Sequence, residues 1–343
     1  MSSGADSLTL RRADDFHVHV RQHELMRTVT PMLRLGGIAR CLVMPNTQPP
    51  IATLSQAISY RAELNDLASG IEFLMTLYLT PDMATTTIQG AAEAGITGVK
   101  LYPRGVTTHS DEGIDDLEPL YPIFKAMEDT GMVLEIHAES PSDYERDICV
   151  LNADEDYIPR VGQLHSDFPN LRIVFEHVTS AAAISLVKLL GDTVAATITA
   201  HHLDLTVDDW AGKNHNFCKP VAKFPHDRDA LRAVVAEGHP RFFLGSDSAP
   251  HPVGMKECAE GCAGVFTSPL LLPYLADTFE RLGMLDRLEP FVSEFGSKFY
   301  GIPLNENTVT LVRREQQVPG TYGPIVPYRA GETLQWSIET GLS

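Results

Sequence analysis

Cysteine, long apolar runs and positive charge are all scarce in this chain, and each shortage excludes something. The five cysteines, Cys41, Cys149, Cys218, Cys258 and Cys262, are odd in number and scattered, which does not make a disulfide framework. Cys258 and Cys262 form a C-x3-C pair, but no second Cys or His pair stands at finger-like spacing, so free thiols are expected. No run approaches the roughly 18 apolar residues of a membrane span, and no N-terminal stretch reads as a charged segment followed by an apolar one. A cytoplasmic protein with no membrane partner is therefore expected. Lys and Arg number 27 against 45 Asp and Glu, a formal net charge of −18. That field repels nucleic acid and anionic membranes, while leaving a small anion free to respond to the local field of a site. No G-x-G-x-x-G follows the first strand-like segment, which removes the phosphate turn of a dinucleotide fold.

What the chain has is an alternation. Short β-branched or aromatic runs, each closed by a polar turn, are followed by amphipathic helical stretches. Candidate strands are 16–20, 39–45, 72–79, 98–103, 133–139, 172–178, 194–203 and 241–247. Thr53-Leu54-Ser55-Gln56 has the form of a capping box opening a helix that ends near Ser69-Gly70. Further helices close on Gly95, Gly131, Gly191 and Gly238, and Ser180 is a natural N-cap for the one over 181–190. Eight mostly apolar strands alternating with helices predict a parallel sheet covered on both faces, and eight is the number that closes a (β/α)8 TIM barrel. Residues 268–300 read as a C-terminal extension of two helices, and 309–343 as a turn-rich tail packed on the barrel. No linker divides the chain, so a single barrel domain over 1–343 is expected.

In such barrels the chemistry gathers at the carboxyl ends of the strands. The first strand carries His17 and His19 one residue apart; period-2 alternation puts both on one face, with Phe16, Val18 and Val20 on the other. Arg21 is next on the histidine face. The fourth strand offers Lys100, the fifth His137, the sixth His177, and the eighth Asp247 followed by His251. Four imidazoles and one carboxylate exceed the needs of one tetrahedral zinc and suit two metals joined by a bridging anion. An ammonium would be repelled there, whereas a neutral lysine amine can add CO2 to give a carbamate; Lys100 is either that bridge or a Schiff-base lysine without metal. The surrounding histidines favour the bridge.

The order H-x-H, K, H, H, D on strands 1, 4, 5, 6 and 8 resembles the amidohydrolase superfamily. Phe16-His17-Val18-His19-Val20-Arg21, Val43-Met44-Pro45-Asn46, Lys100-Leu101-Tyr102-Pro103, Phe175-Glu176-His177-Val178-Thr179 and Gly245-Ser246-Asp247-Ser248-Ala249-Pro250-His251 resemble the single-function dihydroorotases of pyrimidine synthesis. So do the tail segments Arg314-Glu315-Gln316-Gln317-Val318 and Ala330-Gly331-Glu332-Thr333. The likeness covers nearly the whole chain. It implies two zinc ions per chain, bridged by carboxylated Lys100 and a hydroxide. His17, His19, Lys100 and Asp247 would hold one, and Lys100, His137 and His177 the other, with Asp247 as general base and acid. The implied reaction interconverts dihydroorotate and N-carbamoyl-L-aspartate. Substrate contacts are implied for Arg21, Asn46, Thr107, Thr108, Lys219, His251 and Ala263, with the loop over 104–113 acting as a lid. Lys219 departs from the leucine of bacterial members, but the contact there is expected from the backbone. His201 and His202, at the end of the seventh strand, are expected to support the site rather than hold metal. A homodimer is the implied assembly. A hydantoinase-like cyclic amidase is the alternative within the superfamily; its neutral ring would lack the carboxylate that Arg21 and Asn46 are expected to bind.

Overall fold

The structure, a computed structural model, describes residues 6–339. Its strands are β1 (Ser7–Arg11), β2 (Ala13–Val18), β3 (Ile38–Val43), β4 (Glu72–Tyr78), β5 (Gly98–Leu101), β6 (Val133–Ile136), β7 (Arg172–Phe175), β8 (Val194–Ile198), β9 (Phe242–Leu244), β10 (Thr308–Gln317) and β11 (Thr333–Ile338). Strands β2 to β9 pair in sequence order, all parallel. The ends of the sheet meet through a bridge between Val18 and Ser248 and through the Asp247 amide, which donates to the His17 carbonyl at 2.9 Å. Helices fill most of the crossovers, as the right-handed parallel connection requires. This is the expected (β/α)8 TIM barrel.

Alternation along the strands separates two environments. Leu134, Ile136, Ile173, Phe175, Ala196 and Ile198 belong to the large core that includes buried side chains of the surrounding helices. Phe16, Leu42, Val133, Val174, Ala195 and Phe243 form a separate cluster with Tyr300 in the barrel interior. Tyr300 belongs to the helix Phe295–Tyr300, which plugs the amino-terminal mouth. Its ring stacks on Phe16 at 4.6 Å, and Arg172, at the start of β7, donates to the Phe299 carbonyl at 3.0 Å. Above this apolar floor the interior turns polar, with Lys100, Glu135, Glu176 and Thr197 all fully buried. The approach is close: a Cβ on Gly98 would stand 2.2 Å from Glu135 Oε1, so only glycine fits opposite that carboxyl.

Three expectations need correction. Phe16 does not share a face with Val18 and Val20: it joins the interior cluster while they join the outer core. The β2–β3 register shifts between Asp15 and Val18, and such a bulge lets consecutive residues face the same side. Strand β2 also ends at Val18, and Arg21 has φ +60, so strand periodicity does not govern its direction. The tail is not merely turns, since β10 pairs antiparallel with both β1 and β11 in a three-stranded sheet. Residues 340–343 of the expected tail lie outside the described residues. Over 268–300 the two helices are Leu271–Arg281 and Phe295–Tyr300, the second entered through a π-helical turn at Pro290–Glu294. A helix at Ala153–Asp167 was not foreseen, because Pro159 interrupts its pattern. No helix among the described residues is long and apolar enough to cross a membrane. All five cysteines are free, as expected.

Candidate active site

The carboxyl ends of the strands bring the predicted ligands together. His17 and His19 Nε2 stand 3.4 and 2.9 Å from the same oxygen of Asp247, and one donor atom from each residue lies within 4.8 Å of the others. The rings of His17 and His177 are 4.9 Å apart, and those of His137 and His177 are 4.7 Å apart. Lys100 projects from β5 beneath them, fully buried, with its Nζ making no hydrogen bond. His177 Nδ1 is likewise buried and unpaired.

Two of these positions are held in strained backbone. His177 has φ +40 and Asp247 φ +44, in the left-handed region that non-glycine residues rarely occupy. The strain is held by neighbours: the His177 amide donates to Thr197 Oγ1 at 2.6 Å, and the Asp247 amide to the His17 carbonyl. Asp15 fixes the same turn from below, accepting from the Ser246 amide at 2.7 Å and its hydroxyl at 2.6 Å.

Carboxylates orient the imidazoles. His17 Nδ1 donates to Glu176 at 2.8 Å, leaving Nε2 toward Asp247, and His137 Nε2 donates to Glu139 at 2.8 Å, leaving Nδ1 free. Burial lowers His17, His19, His137 and His177 below the usual imidazole range, so they are neutral and able to act as ligands. Since His17 is neutral, its contact with Glu176 is a hydrogen bond to a carboxylate rather than an ion pair. Burial would raise Glu176, but His17 and Lys100 beside it hold it below the usual range. Burial pushes Lys100 down to about 8, against the pull of Glu176, Glu135 and Asp247, and it raises Asp247.

Over the imidazoles lies a small cavity lined by His17, His19, Arg21, Asn46, Tyr102, Thr107, Thr108, His137, His177, Lys219, Asp247, Ala249, Ala263 and Gly264. Every predicted substrate-contact residue except His251 is in that lining. His251 lines the adjoining outer cavity together with Arg21 and Asn46. Its Nε2 is 2.9 Å from Arg21 Nη2 and 3.0 Å from the Ala263 carbonyl. Arg21 Nε donates to the Pro250 carbonyl at 3.0 Å, which fixes the plane of its guanidinium. The loop over 104–113 is folded against the site: Asn46 Nδ2 donates to the Thr108 carbonyl at 3.0 Å, and His109 Nδ1 donates to the Asn46 carbonyl at 3.1 Å.

The sequence reading overlooked Tyr102, Glu139 and Glu176. The available signal was a carboxylate or phenol inside otherwise apolar strand ends, at Lys100-Leu101-Tyr102-Pro103, Glu135-Ile136-His137-Ala138-Glu139 and Phe175-Glu176-His177. His201 and His202 gather with Cys218, outside the cavity lining but with His202 within electrostatic reach of Asp247 and His177. His202 Nε2 donates to the Pro220 carbonyl at 3.1 Å.

No protein-family model matches the sequence. Among curated relatives, the dihydroorotase of Mycosarcoma maydis is 48% identical over 321 residues, 86% of this chain and 82% of the relative. The dihydroorotase of Saccharomyces cerevisiae is 46% identical over 348 residues, covering 94% and 96%. The crystal structure of the S. cerevisiae enzyme in complex with 5-fluoroorotic acid superposes with a TM-score of 0.94 at 44% identity, covering 98% of this chain and 99% of that one. Family and fold together imply a metal and a small-molecule substrate. The chain belongs to the dihydroorotase family of the amidohydrolase superfamily, and is a cyclic amide hydrolase of pyrimidine biosynthesis.

Proposed function

We propose that this chain interconverts dihydroorotate and N-carbamoyl-L-aspartate at a two-zinc centre built on carboxylated Lys100. The observation that carries the reading is the buried, unpaired Nζ of Lys100 beneath a ring of neutral imidazoles. A buried polar atom without a partner is costly. Addition of CO2 converts this amine into a two-oxygen anion at the place where His17, His19 and Asp247 on one side, and His137 and His177 on the other, lack a shared ligand. The residues present therefore fit two zinc ions, the first held by His17, His19, Lys100 and Asp247, the second by Lys100, His137 and His177. Such a pair, when bound, supplies a nucleophile from water near neutral pH and polarises the ring carbonyl.

The remaining work falls to side chains. Arg21 grips the substrate carboxylate through its guanidinium, and Asn46 and His251 add polar contacts. Engaging Asn46 Nδ2 requires release of its bond to Thr108, which links carboxylate binding to rearrangement of the 104–113 loop. Thr107 and Thr108 then offer hydroxyls, while Lys219 and Ala263 contribute backbone groups. Asp247 accepts the proton of the attacking water and delivers it to the ring nitrogen as the amide bond breaks. Burial raises its carboxyl, which makes a transient proton easier to hold. A neutral hydantoin-like ring would leave Arg21 without an anionic partner, which favours the carboxylate-bearing substrate. The whole chain acts as one barrel domain, in the cytoplasm and as a homodimer.

The test is zinc analysis combined with assays in both directions. About two zinc per chain and turnover of both compounds are expected. Activity surviving Lys100→Ala without added short-chain carboxylates would contradict the bridge.

A further inference from the structure

Lys223 takes no part in the chemistry above, yet it is only 3% exposed. It lies in the loop after β8, four residues beyond Lys219 and just before the helix Pro225–Glu237. Its Nζ is 3.6 Å from Glu139 Oε1 and 3.7 Å from Asp154 Oδ1, and it donates to the Val150 carbonyl at 2.5 Å. Glu139 uses its other oxygen to accept from His137 Nε2 at 2.8 Å. Asp154 accepts from the hydroxyl of Thr179, two residues past His177, at 3.0 Å. One ammonium thus ties together the loops that follow β6, β7 and β8, each of which supplies a residue to the site.

Stability is a poor reason to keep such a group. Exchanging a buried ion cluster for apolar side chains of similar volume is often neutral or stabilising. The geometry gives a better one. Glu139 accepts from His137 Nε2 with one oxygen, and the buried ammonium 3.6 Å from its other oxygen, Oε1, is that of Lys223. That arrangement leaves His137 Nδ1, rather than Nε2, facing the cavity.

We propose that Lys223 is a positioning residue for the second metal: through Glu139 it fixes the tautomer and direction of His137 and so sets that metal's affinity. The proposal rests on the two-zinc reading. It gives the buried triad Lys223–Glu139–His137 the task that Glu176, itself held by the Thr197 hydroxyl, performs for His17. It also ties the His137 side of the site to the loop carrying Lys219, so the substrate loop and the second metal share one anchor.

The experiment titrates metal-free protein with zinc against a chromophoric chelator, in bicarbonate buffer. Wild-type protein is expected to take two equivalents; fewer would refute the two-zinc reading before any variant is made. In Lys223→Met, one equivalent should weaken about 10-fold or more, the usual effect of removing a partner of a ligating histidine, while the other stays within about 3-fold of wild type. Glu139→Gln should weaken the same single equivalent. Lys256→Met is the control for simple loss of a buried lysine. Lys256 is equally buried but donates only to the Phe217, Cys262 and Gly264 carbonyls. Its loss should lower the melting temperature and leave both zinc affinities in place. Equal weakening of both equivalents in Lys223→Met, or of neither, overturns the proposal. If Lys223→Met does not fold, wild-type affinity for both equivalents in Glu139→Gln overturns it instead.

Discussion

Replacing Lys100 by methionine should make the metal-free protein more stable while destroying its function. The side chain is fully buried, and burial pushes its amine from 10.5 down to about 8. Each unit of such a shift is worth about 1.36 kcal/mol, so keeping the ammonium inside the barrel costs roughly 3 kcal/mol at pH 7. The sign follows from proton binding. The folded state binds this proton less tightly than the unfolded state, so the penalty is complete below about pH 8, shrinks as the pH rises toward 10.5 and vanishes beyond it. Methionine has nearly the same length and no charge, and a volume-conserving exchange costs little packing. For a chain of this size, roughly 3 kcal/mol corresponds to a rise of about 4 °C in melting temperature. The assay is thermal unfolding of chelator-treated wild type and Lys100→Met in bicarbonate-free buffer from pH 7 to 10, with zinc content and turnover measured in parallel. Variant and wild type should converge as pH rises. A Lys100→Met protein that melts several degrees below wild type at pH 7 would refute the reasoning, because it would make Lys100 a structural partner of Glu176 and Glu135.

Three further outcomes follow from the same geometry. Arg21→Met should lower kcat/KM by roughly 10- to 150-fold, the worth of about 1.5–3 kcal/mol for hydrogen bonds to a charged group; unchanged steady-state kinetics would remove Arg21 from substrate binding. Gly245→Ala brings a Cβ within 2.6 Å of Thr197 Cβ and 2.9 Å of His17 Cβ. The overpacking should cost about 1–3 kcal/mol and reduce zinc content by displacing His17, and a variant with wild-type melting temperature and zinc would show that the contact is slack. Carbamoyl aspartate carries two carboxylates and dihydroorotate one, so ring closure consumes a proton, and the equilibrium ratio of cyclic to open form should fall about tenfold per pH unit near neutrality. An equilibrium ratio independent of pH would contradict the assigned substrates.

The polar positions gathered at the rim were legible because charge is conspicuous at the ends of apolar strands. Lys100 and His137 close β-branched and leucine-rich runs, and a barrel of eight such runs brings their ends to one rim. Orientation was harder to read. Phe16 and His17 both turn inward because the β2 register slips, and no alternation rule applied to that heptapeptide anticipates a bulge. The pairing of β1 with β10 joins residues about three hundred positions apart, beyond the reach of any local window. Arg21 lines the cavity, but strand alternation gave the wrong geometric reason: it gets there from a left-handed turn, not from a continued strand. The carboxylates behind the imidazoles, Glu176 and Glu139, stand beside His177 and two residues from His137 in the sequence, but only the fold shows that Glu176 meets His17 and Glu139 meets His137.

On the two-zinc reading, Lys100 carries a carbamate joining two zinc ions. Anomalous diffraction at the zinc edge, from crystals grown with bicarbonate, tests it directly. Two peaks are predicted on opposite sides of Lys100, one against His17, His19 and Asp247 and the other against His137 and His177, with continuous density extending from Nζ between them. A single peak, unmodified Lys100 density, or zinc held instead by His201, His202 and Cys218 would contradict it.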